Sequence, residues 1–518
     1  MLKILMKNKL WILFLLTIIF FLSHFHIHKN IKREAKNEVI LKRLENLKGG
    51  KLGADGKAVH FVPVKKEIQN LQNDIIAKFT IDHVLSDRIG LHRKVGEHRH
   101  PQCLTKIHSK IFKQSKKASI IFNVFNEAWS TLIRSVFSIL HTAPLNLVEE
   151  IILIDDNSDF SFLAIFLSKI LQNFEPEKIN FSIPIRLIRL KERAGLIKGR
   201  NIGASLAKGE ILVFLDCHIE CNDGWLEPLV AQIVENPTSI AVPVIAVIDR
   251  LTFEFSHDPF SFPQLGSFDK TLNFNWFSIP DEDRSRDRTE SLRSPTMAGG
   301  LYAIDKNWFH HLGGYDDGMD IWGVENVEMS VRTWTCGGSI RIAPCSIIGH
   351  VFPEKSFYRR DPTRNLARFA EVWLDDYKSK LYRRTSFAIP DSFKNTSSLQ
   401  KRKELRQNLK CRSFRWFLDE IFPEFIEPED KIGQFGFLHS PNLEWCLAIS
   451  AAGEIIWEQC KFQSYGNRPL EQLWELDSNG QLKSFGQNDK LNDTDQADSD
   501  LTSNDPKMIL TKLVESKK

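Results

Sequence analysis

The chain has 518 residues, of which 42% are hydrophobic and 26% charged, and its formal net charge is +4. This composition is that of a globular protein with room for one large core, a smaller second core and additional segments. Because the net charge is small and the acidic and basic residues are interspersed, no nucleic acid partner is predicted.

A membrane anchor is predicted near the start of the chain. Three lysines precede an apolar run over residues 11–22, and no small-residue cleavage signal follows this run. We therefore expect a cytoplasmic tail at 1–9 and an uncleaved signal anchor at 10–25. The apolar run is shorter than the roughly 20 residues that span a typical bilayer, which suits a thin membrane of the early secretory pathway.

The cysteines indicate the side of the membrane on which the body lies. Basic residues flank the anchor on both sides, so their distribution does not decide the orientation. Eight cysteines without CxxC spacing, together with glycosylation sequons at Asn395 and Asn492, are typical of an oxidising lumen. We expect a single-pass protein whose body is lumenal and follows a Lys- and Glu-rich stem at 26–85.

Strand and helix signals alternate through the first half of the body. Apolar runs predict strands at 118–125, 151–154, 183–190 and 211–215, and helical spacing predicts helices at 129–141, 162–171 and 196–207. Strands that are apolar throughout are buried on both faces, which is typical of a parallel sheet covered by helices. The sequence therefore predicts an α/β fold with a doubly wound, mostly parallel sheet.

Polar residues follow the predicted strands at their carboxyl ends, where ligands bind in such sheets. They are Asn126-Glu127, Asp155-Asp156, Arg193 and Asp216-Cys217-His218. Successive side chains of a strand point to opposite faces, so Asp216 and His218 emerge on the same side. A carboxylate and an imidazole so placed are half of a site for Mn²⁺ or a similar ion, although the isolated pattern is more often a capped turn.

No phosphate-binding glycine motif follows any of these strands. Neither GxGxxG nor GxxxxGK[ST] occurs there, which disfavours a dinucleotide enzyme and a nucleotide-hydrolysing motor. A nucleotide whose phosphates are held by a metal ion fits the pattern better. A metal-dependent glycosyltransferase has this property.

Short strings along the body carry a family resemblance. Among them are Phe125-Asn126-Glu127-Ala128-Trp129-Ser130, Phe214-Leu215-Asp216-Cys217-His218, Ala298-Gly299-Gly300-Leu301, Asp320-Ile321-Trp322-Gly323 and Gly349-His350-Val351-Phe352. In this order they resemble the polypeptide N-acetylgalactosaminyltransferases over about residues 86–420. The resemblance implies a GT-A catalytic domain at 86–425, with UDP-GalNAc as donor and Mn²⁺ as cofactor. It also implies a type II Golgi membrane protein that transfers GalNAc to Ser or Thr hydroxyls of proteins with retention, which starts mucin-type O-glycans.

The resemblance also assigns roles to single residues. Asp216, His218 and His350 would be the metal ligands, and imidazole plus carboxylate suits manganese. Glu325 and Asn326 would form an acidic loop near the reacting sugar, as the catalytic pair. The residues that would contact the donor or acceptor are Asn123, Asp156, Arg193, Gly299, Gly300, Trp322 and Tyr358. The leaving diphosphate would take the proton of the acceptor hydroxyl, so no dedicated side-chain base is expected.

A purely structural role is the alternative for two of these residues and for Asp155, the neighbour of Asp156. Trp322 is also compatible with an ordinary core residue, since the chain is 11% aromatic. His350 alone is also compatible with a satisfied histidine at a strand end. Asp155 is interpreted as a turn or cap residue, whereas its neighbour Asp156 is the predicted donor contact.

Four positions depart from the family pattern. Pro353 stands where the family has an arginine that would contact the diphosphate, and Val324 replaces the second glycine of Trp-Gly-Gly-Glu-Asn. Lys270 replaces a tryptophan and Ala246 an acidic residue, and Lys355 is a partial substitute for the missing arginine. Pro353, Val324 and the incomplete lectin part leave open a catalytically silent relative that binds peptide or UDP-sugar. A metal-dependent transferase for another nucleotide sugar is a third alternative.

The carboxyl-terminal part resembles one repeat of a ricin-type lectin at 430–486, followed by a tail at 487–518 that is predicted to be disordered. One repeat is not enough for a complete β-trefoil, and Ala448 stands where the family has a sugar-binding aspartate. By the same resemblance we expect two free thiols and three disulfides. The free thiols would be Cys217 and Cys221, and the pairs Cys103–Cys345, Cys336–Cys411 and Cys446–Cys460.

Overall fold

The computed structural model describes residues 52–105, 116–159, 183–354, 362–385, 393, 396–425 and short stretches between 434 and 484. The predicted tail 1–9, anchor 10–25 and final segment 487–518 lie outside these residues, as do the predicted helix 162–171, both sequons, Lys355 and Tyr358. Within the described part of the chain, no helix is both long and apolar enough to cross a membrane.

The helices and strands follow one another in the order that the sequence indicates for the first half of the body. The α-helices are α1 Lys66–Phe79, α2 His83–Ser86, α3 Pro101–Thr105, α4 Trp129–Thr142, α5 Gly195–Leu206, α6 Leu226–Glu235, α7 Lys306–His311, α8 Glu325–Thr335, α9 Thr363–Trp373, α10 Tyr377–Thr385, α11 Ser397–Asn408 and α12 Phe414–Glu420. The strands are β1 Ala118–Val124, β2 Val148–Asp155, β3 Ile185–Arg189, β4 Ile211–Leu215, β5 Ile219–Cys221, β6 Ser239–Ile248, β7 Phe255–Ser256, β8 Leu265–Phe268, β9 Phe274–Phe277, β10 Leu292–Arg293, β11 Tyr302–Asp305, β12 Ser339–Val351, β13 Gln434–Gly436, β14 Trp445–Ile449, β15 Ile455–Gln459, β16 Trp474–Leu476 and β17 Leu482–Ser484.

A mixed sheet forms the centre of the body, with strands in the order β10-β12-β6-β11-β4-β1-β2-β3. The pairs β4-β1, β1-β2, β2-β3 and β12-β6 are parallel, whereas β11 runs antiparallel to both β4 and β6. Phe122 lies opposite both Leu153 and Leu215 in this register. The fold is therefore the expected α/β fold of GT-A type, mostly parallel and doubly wound.

The strands are apolar throughout because their successive side chains enter two different cores. Ile120 and Val213 belong to a core with residues of α4 and α6, whereas Ile121 and Phe214 belong to the core that contains residues of α5. Helices thus cover both faces of the sheet. The carboxyl ends of β1, β2 and β4 remain uncovered at one edge.

Strand β12 connects this edge to the rest of the body. Its register against β6 shifts between Ala343 and Ile347, and beyond the shift His350 lies opposite both Val247 and Ile219. A disulfide joins Cys345 in this strand to Cys103 in α3, and a second disulfide joins Cys336 to Cys411, as expected. Cys217 and Cys221 are free and buried, which was also expected.

The folded body begins earlier than the predicted boundary at residue 86. Val59, Ile81 and Leu85 are buried in the same core as α5, and α1 precedes them within the predicted stem. The sequence did not indicate this because the buried residues are far apart in the chain and form no continuous apolar stripe. Part of the predicted stem is therefore a structural element of the body.

Small antiparallel sheets follow this body. β14 and β15 form a hairpin, and β13, β16 and β17 form a three-stranded sheet. The Trp474 indole donates a hydrogen bond to the carbonyl oxygen of Leu447 at 2.7 Å, which links the two sheets. This arrangement fits a partial lectin domain. Cys446 is disulfide-bonded, but its expected partner Cys460 lies outside the described residues.

Candidate active site

A cavity of about 560 Å³ opens at the carboxyl edge of the sheet. The predicted site residues that line it are Asn123, Arg193, Asp216, His218, Gly299, Gly300, Trp322, Glu325 and His350. Asp156 and Asn326 lie close by but do not line it. The sheet edge therefore brings together residues from β1 and β12, from the segment after β4 and from the helices α5 and α8.

The three predicted metal ligands form the floor of this cavity. Asp216 and His218 follow β4, and His350 lies near the end of β12. One ligand atom from each residue lies within 4.8 Å of the other two, and His350 Nε2 is 3.2 Å from Asp216 Oδ2. A hard carboxylate oxygen with two imidazole nitrogens is a donor set that fits Mn²⁺.

Asp216 is held in its ionised form. Burial opposes its ionisation, but the hydrogen bond with His350 and the charge of Arg200 outweigh that cost and hold the pKa of the carboxyl well below its usual range. Arg200 is buried in α5; its Nη2 lies 3.1 Å from Asp216 Oδ1, and its guanidinium also donates to the carbonyl oxygens of Gly299 and Gly300. The carboxylate is therefore charged and oriented before any ligand arrives.

His218 is oriented by a residue to which the sequence gave no role. Glu127, just beyond β1, accepts a hydrogen bond from Nδ1 of His218 at 2.9 Å, and Oε1 of the same carboxylate accepts from the Ala128 amide at 3.0 Å. Burial lowers the pKa of His218, but the Glu127 charge outweighs this effect and raises it. With Nδ1 engaged, Nε2 is the nitrogen that remains for a metal.

His350 differs from His218 in its surroundings. Burial lowers the pKa of its imidazole, so the neutral, metal-binding form predominates near neutral pH. Its Nδ1 is buried and has no hydrogen-bond partner among the residues that the structure describes. An imidazole placed 3.2 Å from Asp216 and 4.6 Å from the His218 ring centroid belongs to a ligand cluster, which disfavours the alternative of an ordinary strand-end histidine.

The two adjacent glycines permit close approach at the cavity wall. Gly299 has φ +90°, a left-handed conformation that favours glycine. A Cβ atom on Gly300 would collide with the carboxylate of Asp216. Side chains at these two positions would therefore displace either the backbone or a predicted ligand.

The predicted catalytic pair lies on a helix and not in a loop. Glu325 and Asn326 are the first two residues of α8, and the Glu325 carboxylate accepts a hydrogen bond from the Gly323 amide. Burial raises the pKa of Glu325. Asn326 donates to the Met297 carbonyl oxygen at 3.1 Å, so its side chain supports the cavity wall from behind. The prediction of a loop was wrong because it did not recognise the start of this helix.

The predicted donor contacts near β1 and β2 are arranged in two layers. Asp156 is buried, accepts a hydrogen bond from the Gly195 amide at 2.9 Å and lies 4.0 Å from Arg193. Arg193 stacks over the Phe125 ring at 3.7 Å and faces the cavity. Asn123 also lines the cavity, where its buried Oδ1 has no hydrogen-bond partner within the described residues. An unpaired acceptor of this kind suits a polar ligand.

Asp155 has the turn role that the sequence indicates. Its Oδ1 accepts a hydrogen bond from the Ser158 amide at 2.9 Å, and its Oδ2 accepts from Arg189 at 2.7 Å. The side chain therefore closes the turn after β2 and has no place in the cavity lining.

Trp322 lies at the cavity wall on a loop with unusual backbone geometry. Its side chain is 42% exposed, so the alternative of an ordinary core residue is wrong. Ile321, Gly323 and Val324 all have positive φ, at 30°, 103° and 69°. The buried Asn365 side chain holds the loop by accepting from the Asp320 amide at 2.7 Å and donating to the carbonyl oxygens of Asp320, Trp322 and Gly323.

The cavity includes residues that sequence reasoning missed. Lys78, Phe79 and His83 reach it from the segment that was interpreted as stem. The partners of Asp216 and His218 were missed as well, although Glu127 stands in one of the strings that carry the resemblance. The segment around Lys78 offered no comparable signal.

The residues that depart from the family pattern lie in different parts of the structure. Pro353 lines the cavity and lies three residues after His350. Val324 occupies a backbone position with φ +69°, which explains why glycine would suit it. Ala246 is buried in β6 opposite Gly349, and Lys270 lies in the turn between β8 and β9.

Comparison with known proteins first defines the class. Residues 119–309 match the family model described as "Glycosyl transferase family 2", and 285–355 match "N-terminal domain of galactosyltransferase". Together with the sheet topology and the Asp-His-His cluster, these matches define a glycosyltransferase of GT-A type.

Full-length relatives then define the family. The chain is 42% identical over 407 residues to polypeptide N-acetylgalactosaminyltransferase 12 of Mus musculus. This alignment covers 78% of this chain and 68% of that protein. It is 43% identical over 404 residues to polypeptide N-acetylgalactosaminyltransferase 4 of the same organism, in an alignment that covers 77% of this chain and 67% of that protein. The crystal structure of GalNAc-T7 with UDP, GalNAc and Mn²⁺ superposes with a TM-score of 0.69 and 30% identity, covering 84% of this chain and 80% of that one. The chain belongs to the polypeptide N-acetylgalactosaminyltransferase family.

Proposed function

We propose that this chain transfers GalNAc from UDP-GalNAc to Ser or Thr hydroxyls of polypeptides with retention, and so starts mucin-type O-glycans. The observation that carries the proposal is the cluster of Asp216, His218 and His350 on the floor of the cavity. A relative with 30% identity was crystallised with UDP, GalNAc and Mn²⁺, which supports both the donor and the metal.

Different residues of the chain would bind different parts of the donor. Asp216, His218 and His350 would hold Mn²⁺, which when bound supplies positive charge against the departing diphosphate. Arg193 offers a planar guanidinium beside the cavity, and Asn123 offers an unpaired acceptor to the nucleoside. Trp322 covers the wall of the cavity and limits access of water to the sugar. The acceptor proton would pass to the leaving diphosphate.

The test is a transfer assay with the purified full-length protein. UDP-GalNAc, Mn²⁺ and a Thr-rich peptide are incubated with wild type, with Asp216→Ala and with Asp223→Asn, an exposed acidic residue outside the cavity. We expect metal-dependent glycopeptide with wild type and Asp223→Asn, and none with Asp216→Ala. Nucleotide binding without product in the wild type would instead identify a silent relative, and turnover only with another UDP-sugar would identify a different donor.

We also propose that the protein is a single-pass type II protein of the Golgi membrane, with residues 10–25 as anchor and a lumenal catalytic body. The two disulfides of the described body support an oxidising compartment. Protease treatment of sealed Golgi vesicles should leave the body intact and remove only the residues before the anchor. Complete digestion without detergent would contradict this topology.

A further inference from the structure

The cations that line the cavity are not equally available to a ligand. Apart from histidines, the described lining residues with a positive charge are Lys78, Arg193 and Arg200. Arg200 is engaged with Asp216 and with the carbonyl oxygens of the two glycines. Arg193 is stacked on Phe125 and lies next to Asp156. Arg200 is thus held by several protein contacts, whereas Arg193 is positioned by Phe125 and Asp156 and remains a proposed donor contact.

Lys78 is in a different situation. Its side chain is exposed, its ammonium lies 4.9 Å from the centroid of the Phe79 ring, and it makes no ion pair with any residue that the structure describes. A lysine ammonium on a four-carbon stem can be reoriented at low cost and binds phosphate as a point charge. Lys78 is therefore a second cation of this cavity, besides Arg193, that an anionic ligand can recruit.

The helix that carries Lys78 is fixed to the metal-binding edge. Helix α1 ends at the buried Thr80, whose Oγ1 accepts a hydrogen bond from the Glu354 amide at 3.1 Å. Arg250 donates to the Thr80 carbonyl oxygen at 2.8 Å and pairs with Glu354 at 2.7 Å. Lys78 is two residues from this junction, and Glu354 is four residues beyond His350. The position of Lys78 is thus tied to the end of β12, the strand that carries His350.

A further cation would help to balance the negative charge in the cavity. Its acidic lining residues include Glu127, Asp216 and Glu325, whereas Pro353 at the rim carries no charge. A nucleoside diphosphate brings further negative charge into the same space. A divalent ion offsets part of it, and a mobile ammonium at the rim offsets more.

We propose that Lys78 binds the diphosphate of the nucleotide-sugar donor, as a donor-binding residue supplied by helix α1 of the segment that was predicted to be stem. This inference rests on the proposed function, because it assumes that a UDP-linked sugar occupies the cavity. A purely structural role is the competing explanation, since a lysine in the last turn of α1 also interacts favourably with the helix dipole.

The test compares ligands with and without phosphates on the purified full-length protein in the presence of Mn²⁺. The dissociation constants for UDP and for uridine are measured for wild type, Lys78→Met, Lys78→Arg and the control Lys66→Gln, an exposed lysine at the start of the same helix about 18 Å away. We expect Lys78→Met to weaken UDP binding about tenfold without changing uridine binding, whereas Lys78→Arg stays within about threefold of wild type. Lys66→Gln should match wild type.

Other outcomes overturn the inference. Equal losses of UDP and uridine binding, together with a lowered melting temperature, would show that Lys78 only supports the fold. An unchanged UDP affinity with a raised KM for the peptide would assign Lys78 to the acceptor. In both cases wild type still transfers GalNAc, so the failure is distinct from that of the proposed function, in which wild type gives no product.

Discussion

Oε2 of Glu127 lies 2.9 Å from Nδ1 of His218, although the two residues are 91 positions apart in the chain. The carboxylate follows β1, the imidazole follows β4, and these strands are neighbours in the sheet. The parallel pairing of the two strands therefore builds a carboxylate–histidine pair behind the predicted metal position. Such a pair fixes the tautomer of the imidazole and raises its basicity as a ligand.

We predict that Glu127→Gln weakens Mn²⁺ binding about 10- to 100-fold, because the amide no longer stabilises the Nδ1-protonated tautomer by charge. Titration of Mn²⁺ into the protein by calorimetry, with UDP present, measures the effect. Glu149→Gln, at a half-exposed position in β2, serves as the control. Wild-type affinity in Glu127→Gln would remove this residue from the site.

Asn365 is predicted to hold the Trp322 loop in place. Asn365→Ala should speed hydrogen exchange of the Asp320 amide about tenfold or more, because that amide loses its acceptor. Asn365→Asp keeps the acceptor and should retain most of this protection, but it loses the donors to the three loop carbonyls. Both variants should raise the KM for UDP-GalNAc. Wild-type exchange of the loop amides in Asn365→Ala would contradict this role.

Val324→Gly tests the strained position before α8. Left-handed backbone costs a branched residue about 1–2 kcal/mol, whereas glycine increases unfolded-state entropy and loses the contacts of the partly buried valine. These opposing effects predict a change in unfolding free energy within about 1 kcal/mol, measured by denaturant titration. Val331→Gly, buried within the same helix, should cost about 3 kcal/mol or more. Equal losses in both variants would show that the positive φ at Val324 carries no strain.

The buried pair of Asp316 and Arg368 should make stability depend on acid. Arg368 donates two hydrogen bonds of 2.8 Å to the Asp316 carboxylate. Burial opposes ionisation of Asp316, but the Arg368 contact outweighs it and lowers the pKa of the carboxyl. A lowered folded-state pKa gives stability that is complete above the ordinary aspartate value and is lost as the pH falls through the lowered one.

Asp316→Asn should therefore cost about 3–5 kcal/mol near neutral pH, because Arg368 remains buried without its counter-charge. The stability of this variant should also fall less steeply than that of wild type between about pH 4 and pH 2. Asp376→Asn, at an exposed position, is the matched control. Parallel acid profiles for wild type and Asp316→Asn, followed by circular dichroism, would contradict the prediction.

The sequence predicted those parts of the fold that depend on local pattern. The strands predicted at 118–125 and 211–215 correspond to β1 and β4 within a residue, because each is a continuous apolar run. The insertion of β11 between β4 and β6 was not predicted, since the order of strands depends on pairings between distant segments. The same holds for the docking of α1, whose buried neighbours are widely spaced.

The candidate site was likewise predicted only where a local sequence motif indicates it. The motifs identified Asp216, His218 and His350, and the fold brings these three together. Arg200 and Asn365 act through contacts with distant residues, so no local spacing revealed them, and Glu127 was placed at the sheet edge without a role. Glu325 was expected in a loop from the family resemblance alone, and the start of α8 became clear only from the backbone.

Asp216 and His350 are separated by 134 residues, and β6 and β11 lie between the strands β4 and β12 that position them in the sheet. A chain still emerging from the ribosome thus has an incomplete set of ligands until nearly the whole domain has been synthesised. Capture of manganese then reports completed assembly, and partly folded copies are unable to consume nucleotide sugar.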